Sequence, residues 1–392
     1  MRGQIVRRQN DRYLMILFLI MQVGNFIGYV SQAYEAEGIF SLISKGYILI
    51  CFASFILCVL RYPEAMNRSR LVLLLLIMAI WGVVSAISSN WVGMMPFLIL
   101  LWGYLSLPVY LIYTPYLPIR RSMVNQIKVF SLLTALFFVY CFFVHPEYNA
   151  RTDAITFGYS NPNRLAIYLI QNLSILLSLA KNEKQKNSKI FFMLICLFET
   201  YLVYLTYARI AYICAIVLWI YFLRGNKAKI NKKTVILFLV LPVLFLIAVI
   251  VTYSFKIIPH STTLFGKPLF SGREEMYLSI LQSMDLRTWL IGDFSQYQFG
   301  NWHNAFLSII CSTGMIGLLV FYLFFFRAYM DLRKYSENNC YELMPFVGAL
   351  LLFVEGCAES ATLVSGAMYA SAAAQLVYLV HYGNRMVEGG QK

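Results

Sequence analysis

Four groups of residues in this 392-residue chain have types and spacings suited to chemistry. Arg151 lies in Asn-Ala-Arg-Thr-Asp, followed by the turn Asn161-Pro162-Asn163 that leads into Arg164. Arg209 follows Thr206-Tyr207-Ala208 between two apolar runs. Arg273 sits in Ser271-Gly272-Arg273-Glu274, and His303-Asn304 opens another apolar run. A guanidinium pairs with phosphate oxygens in a two-pronged geometry. An imidazole is the side chain best suited to accept a proton near neutral pH. Several arginines near one histidine therefore point to an anionic, phosphate-bearing substrate and a proton transfer beside it.

Plainer accounts exist for each group. Asn163 is a natural helix cap. Arg209 could snorkel to lipid phosphate from its tight turn. Ser271 to Glu274 fits the capping box S-x-x-E, and Met276, Tyr277, Ile280, Leu281, Met284 and Trp289 follow at helical spacing. This predicts one amphipathic helix over 273–289, closed by Gly292, on the membrane surface or on the helix bundle. Arg273 is a poor choice at that helix start, where the dipole is positive, which argues for a ligand. The remaining histidines, His145, His260 and His381, have no partner at i, i+4, and neither HExxH nor DxD occurs. No metal site and no cofactor is expected.

The elements that must hold these groups are membrane helices. Hydrophobic residues make up 60% of the chain and charged ones 13%, too little polar surface for a water-soluble globule of this length. Helices need about 20 apolar residues to cross the bilayer. Twelve segments qualify: 13–31, 39–60, 71–89, 94–113, 125–144, 164–180, 190–206, 208–223, 234–254, 303–326, 343–361 and 363–381. The expected fold is all-α, a single polytopic membrane domain over 1–392, with a long loop at 255–302 carrying the amphipathic helix.

The net charge of +14 suggests nucleic acid only if sidedness is ignored. Of the 32 basic residues, 24 fall at the termini and on one side of the alternating connections, against 7 acidic residues. The other side carries 8 of each. The positive-inside rule then places both termini in the cytoplasm and the Arg and His groups outside it. No nucleic-acid partner is expected. The first apolar run has span length and no cleavage site after it, so it reads as an anchor and not as a leader. The eight cysteines form no CxxC pair and read as small apolar residues. Glu199, Glu355 and Glu359 lie within predicted spans. A charge there costs roughly 2.5–3.5 kcal/mol on insertion scales. They are expected to face the bundle interior, either in a salt bridge to an arginine or against substrate.

The order of motifs over 145–360 resembles the O-antigen polymerase/ligase family of bacterial polysaccharide assembly. The residues that carry it are Asn161-Pro162-Asn163-Arg164-Leu165-Ala166, the LTYARIA run at 205–211, SGREEMY at 271–277 and LIGDF at 290–294. HNAFLSIICSTGMIGLL at 303–319 and EGCAES at 355–360 complete the set. Tyr207-Ala208-Arg209 departs from the pattern, since a small hydroxyl residue often precedes that arginine. The resemblance implies a GT-C-like membrane glycosyltransferase in the bacterial cytoplasmic (inner) membrane, with its active site extracytoplasmic. Its donor would be a glycan on undecaprenyl diphosphate, transferred with inversion and without metal. Arg209 and Arg273 then correspond to diphosphate-binding positions and His303 to the residue that orients or deprotonates the acceptor. Arg164, Arg151, Asn163, Asn304, Glu355 and Glu359 would serve substrate binding, and the 273–289 segment would gate entry. Partners would be the lipid-linked oligosaccharide as donor and acceptor, membrane lipids, a chain-length regulator and a flippase. Three reactions stay open: polymerisation of O-antigen or capsule repeat units, ligation to lipid A-core, and transport by a flippase.

Overall fold

A computed structural model describes residues 12–34, 56, 60, 70–89, 94–150, 152–159, 161–224, 230–258, 262–264, 267–268, 273–294, 303–336, 340–357 and 367–390. In chain order the helices are α1 (Arg12–Ala33), α2 (Arg70–Ser88), α3 (Met94–Tyr113), α4 (Arg121–Val144) and α5 (Pro162–Asn182). They continue with α6 (Lys186–Leu205), α7 (Arg209–Arg224), α8 (Lys232–Ser254), α9 (Arg273–Ser283) and α10 (Leu286–Ile291). The last are α11 (Ala305–Ser336), α12 (Cys340–Glu355) and α13 (Ala367–Gly390). The only strands among the described residues are two-residue pieces, Thr263–Leu264 paired with Lys267–Pro268. The architecture is therefore helical.

Six helical stretches among the described residues are long and apolar enough to cross a membrane: α2, α4, α5, α6, α8 and Ala305–Lys334 of α11. Met15–Ser31, Gly103–Tyr113 and Leu343–Glu355 are shorter apolar helices. The chain is thus a membrane-embedded protein. The expected span 39–60 lies outside the described residues except for Ile56 and Leu60, both helical. The division of 190–223 holds: α6 stops at Leu205 and α7 starts at Arg209. Pro108, Pro242 and Pro345 sit inside helices, where neighbouring segments can satisfy the freed carbonyls.

Burial separates the helices physically. Every residue from Leu165 to Ala180 of α5 is buried, and α4, α6, α7, α12 and α13 pack around it. This explains why α5 tolerates Gln171, Asn172, Ser174 and Ser178: none of them meets lipid. By contrast α2 exposes Leu73, Leu76, Ile80 and Ile87, and α8 exposes Leu237, Leu241, Leu244 and Ile247. Apolar faces of that kind are at ease only against hydrocarbon. Cys141, Cys196, Cys214, Cys311 and Cys357 are free and buried, as expected of small apolar residues; Cys51 and Cys58 lie outside the described residues.

The described parts of segments 145–159 and 273–294 both reach the α6–α7 tip, the first through Ile155 and the second through the charge of Arg273 on Arg209, and that region is called the loop end below. The first of these is ordered by its backbone. Asn149 N–H donates to Ala154 O at 2.8 Å, Thr156 N–H to Glu147 O at 2.8 Å, and Ile155 N–H to Leu205 O at 3.0 Å. The Tyr159 hydroxyl donates to Tyr29 O at 2.7 Å, tying the loop to α1 as well. The second segment packs α10 against α11 and α9 against α8.

Candidate functional site

The hairpin tip between α6 and α7 is built from Thr206. Its hydroxyl donates to Val203 O at 2.7 Å and accepts from Ala208 N–H at 3.3 Å. Tyr207 closes the tip in the left-handed region, with φ of 52°. Three residues, Thr206 to Ala208, then suffice to reverse the chain, and Arg209 becomes the first residue of α7.

Arg273 is the first residue of α9, and Tyr277 lies one turn further on the same face. Tyr277 is fully buried among Leu246, Val249, Leu307 and Cys311. Its hydroxyl donates to the backbone carbonyl of His303 at 3.2 Å. Glu275 hydrogen-bonds Tyr253 at the end of α8. These contacts seat α9 on the bundle and fix Arg273 relative to His303. A single helix over 273–289 does not form. The chain breaks at Met284 and Asp285, whose carboxylate accepts from Thr288 N–H at 2.7 Å and starts α10 anew. Gly292 ends α10 as expected, its N–H donating to Thr288 O at 2.9 Å.

His303 is half-buried and adopts φ of 48°. Its neighbour Asn304 is fully buried, and its side chain is engaged within the protein. Oδ1 accepts from Phe306 N–H at 3.0 Å and Leu307 N–H at 2.9 Å, and Nδ2 donates to Cys357 O at 3.2 Å. Ala305 N–H adds a 2.7 Å bond to Gly356 O. Asn304 therefore caps α11 and pins it to the turn after α12, which holds the histidine beside it in place.

Burial first, and then the charge of Arg273 from a different element, lower the proton affinity of the Arg209 guanidinium. Two cations held near each other repel, and an anion between them relieves that repulsion. Arg164 stands in the first turn of α5 and Arg209 is the first residue of α7, and these two helices pack side by side.

Other expected site residues fare differently. The α5 cap is Asn161, whose side chain accepts from Asn163 N–H at 2.9 Å, with Pro162 as the first helical residue. Asn163 is thus inside the helix and not its cap, because proline suits the first position, where no N–H is needed. Glu355, buried at the end of α12, makes no salt bridge among the described residues, and neither carboxylate oxygen has a hydrogen-bond partner. It lies within electrostatic reach of Cys214 on α7, below Arg209. The expected interior placement holds for Glu199 and Glu355; of the two roles expected for them, a salt bridge to an arginine is not formed among the described residues. Arg151 and Glu359 lie outside the described residues.

The motifs considered above do not single out two features. Tyr277 counted only as one apolar position of an amphipathic helix, although its hydroxyl ties two parts of the site. Tyr204, Tyr207 and Tyr212 surround Arg209, with ring centroids of Tyr204 and Tyr207 6.5 Å apart and of Tyr204 and Tyr212 6.0 Å apart. Their i, i+3 and i, i+8 spacing across the hairpin is the signal that was present. In comparison with known proteins, the chain matches no family model and no curated protein sequence.

Proposed function

We propose that the chain is a membrane glycosyltransferase of the O-antigen polymerase/ligase type, acting as a repeat-unit polymerase on undecaprenyl-diphosphate-linked glycan. The observation that carries this reading is that the charge of Arg273 reaches Arg209 while Tyr277 ties the Arg273 helix to the backbone of His303. In this reading the chain crosses the bacterial inner membrane twelve times in a GT-C-like arrangement. Both termini are cytoplasmic and the loop end faces outward.

The residues then divide the work. Arg209 and Arg273, assisted by Arg164, hold the diphosphate oxygens and stabilise the charge that grows as the leaving lipid diphosphate departs. His303 accepts the proton of the acceptor hydroxyl. The acceptor oxygen bonds to the anomeric carbon from the face opposite the diphosphate, and the bond from that carbon to the diphosphate oxygen breaks. The anomeric configuration inverts, and His303 later yields its proton to water. Asn304 positions His303 and does not contact substrate.

The test is elongation of a lipid-linked repeat unit by purified protein. Growth of the glycan on its carrier supports polymerisation, and transfer only to lipid A-core identifies a ligase. Movement of the lipid-linked sugar across vesicles without any transfer overturns the enzyme reading in favour of a flippase. Arg209→Ala, Arg273→Ala and His303→Ala are each expected to lower transfer on the order of 10²-fold, the loss typical of removing one preorganised charge-stabilising group. Unimpaired transfer with all three replaced overturns the site assignment.

A further inference from the structure

Arg209 also lines a shallow recess, open to the surroundings, at the α6–α7 tip, shared with Val203, Tyr204, Tyr207, Ala208 and Tyr212. Three of its six walls are tyrosines. Tyr204 stands edge-on to Tyr207, with an interplanar angle of 84°, and tilted to Tyr212 at 59°. The rings thus present faces in more than one direction around one cation.

Tyr207 shares a left-handed backbone with Asp153, Phe157, Lys256 and His303 among the described non-glycine residues, and of these it is the one that lines the recess. A left-handed conformation is costly for a bulky residue, and Gly or Asn takes it more cheaply. Strain of this kind gathers at ligand sites, and here it falls on a ring that lines the recess together with Arg209. A general preference of tyrosine for the membrane interface accounts for Tyr204 and Tyr212. It does not account for a ring at the strained tip, when the helix ends on either side offer unstrained places for one.

Aromatic faces flanked by hydroxyls and a guanidinium suit a sugar ring. The C–H faces of a pyranose stack on aromatic rings, and its hydroxyls take hydrogen bonds from the rim. A polyprenyl chain offers nothing for the phenolic hydroxyls or for Arg209. We propose that the Tyr204, Tyr207 and Tyr212 recess is the subsite for the sugar attached directly to the lipid diphosphate, with Arg209 at the boundary between sugar and diphosphate. This rests on the glycosyltransferase reading above and adds where the first sugar lies.

The test compares two probes on the purified full-length protein: undecaprenyl diphosphate alone and the same lipid bearing one repeat unit. Wild type is expected to bind the glycan-bearing lipid more tightly. Tyr207→Asn, which suits the left-handed tip, and Tyr204→Leu, which keeps apolar bulk, are each expected to weaken the glycan-bearing lipid about tenfold. Neither is expected to change binding of the bare lipid diphosphate. Thermal stability equal to or above wild type for Tyr207→Asn would show that the tip still forms. Equal weakening of both probes assigns the tyrosines to the lipid and overturns the inference. Unchanged binding of both overturns it as well, and either result leaves the glycosyltransferase reading standing. A wild type that binds neither probe overturns that reading and the subsite with it.

Discussion

The Tyr277 hydroxyl donates to the His303 carbonyl at 3.2 Å, while Arg273 sits one turn away on the same helix. The bond crosses from α9 to the start of α11, so it sets the distance between guanidinium and imidazole. It also holds a residue that has left the ordinary backbone regions, His303 with φ of 48°. Tyr277→Phe keeps the packing against Leu246 and Leu307 and deletes one hydrogen bond, worth about 1 kcal/mol of stability. The turnover of glycan transfer is expected to fall about tenfold while the KM for the donor stays put, because Arg273 remains seated. The thermal midpoint is expected to drop by only a few degrees. An unchanged turnover in Tyr277→Phe would mean that the tie has no part in placing His303.

A second contact depends on two glycines. Gly292 has φ of 85° and Gly314 φ of 68°, both with ψ near 180°. The end of α10 lies directly on the break in α11: a Cβ on Gly292 would stand 2.4 Å from Thr313 N, and one on Gly314 2.3 Å from Leu290 O. Only glycine holds such dihedrals at modest cost. Gly292→Ala and Gly314→Ala are each expected to cost about 2–4 kcal/mol, with the double variant falling short of the sum because one separation relieves both clashes. Cys311 reports the same event, since its carbonyl accepts Asp293 N–H at 2.7 Å and its side chain is buried. Labelling of Cys311 by a thiol reagent should rise in both variants, and a Cys311 that stays inert at an unchanged midpoint contradicts this contact.

Much of this arrangement is legible in the sequence, and the exceptions share a cause. Apolar runs place the helices because length and hydropathy are local properties, and Arg209 just after a short tip follows from the spacing of two such runs. Gly292 as a helix end is likewise local. The break at Gly314 is not legible: glycine is common in membrane helices, and only the approach of Leu290 and Ile291 from another segment makes it a corner. Asp285 falls inside the expected 273–289 helix, although Asp-x-x-Thr is a cap pattern that starts a new helix there. At α5, two asparagines flank a proline, and periodicity alone does not choose between them; the missing proline N–H does. The tie from Tyr277 to His303 joins residues 26 positions apart, which no spacing rule reaches.

Asp285 makes the seating of α10 sensitive to acid. Hydrogen bonds from Thr288, from both its hydroxyl and its N–H, hold the Asp285 carboxyl below its usual range, with a smaller contribution from Arg287. A carboxyl whose folded pKa is depressed stabilises the fold fully above its unfolded value, near 3.9. That contribution is lost as pH falls through the lower, folded value. Asn also caps helices and does not titrate. Asp285→Asn is therefore expected to keep the thermal midpoint at neutral pH and to lose less of it than wild type between pH 5 and 3. Asp285→Ala is expected to lower the midpoint across the whole range and to expose Cys311. Parallel acid profiles for wild type and Asp285→Asn would show that the cap bears none of the pH dependence.

Glu199 separates the enzyme reading from the transport reading most sharply. It is fully buried on α6, and its Oε1 accepts from Asn172 Nδ2 at 2.6 Å. Asn172 also donates to Ser131 O at 3.1 Å, so three helices meet at one amide, while Glu199 Oε2 has no hydrogen-bond partner. A carboxylate in that position costs more than the isosteric amide, which still accepts from Asn172. If Glu199 serves only packing, Glu199→Gln leaves transfer unchanged and raises stability by up to about 1 kcal/mol. Asn172→Leu should then lower stability by roughly 2–3 kcal/mol, because Glu199 and the Ser131 carbonyl both lose their donor. A flippase needs charged contacts near the middle of the bilayer, where the substrate passes. Loss of activity in Glu199→Gln at an unchanged midpoint would place the working charge in the bundle interior and away from Arg209 and Arg273. Retained transfer, with Arg209→Ala inactive, locates the chemistry at the loop end.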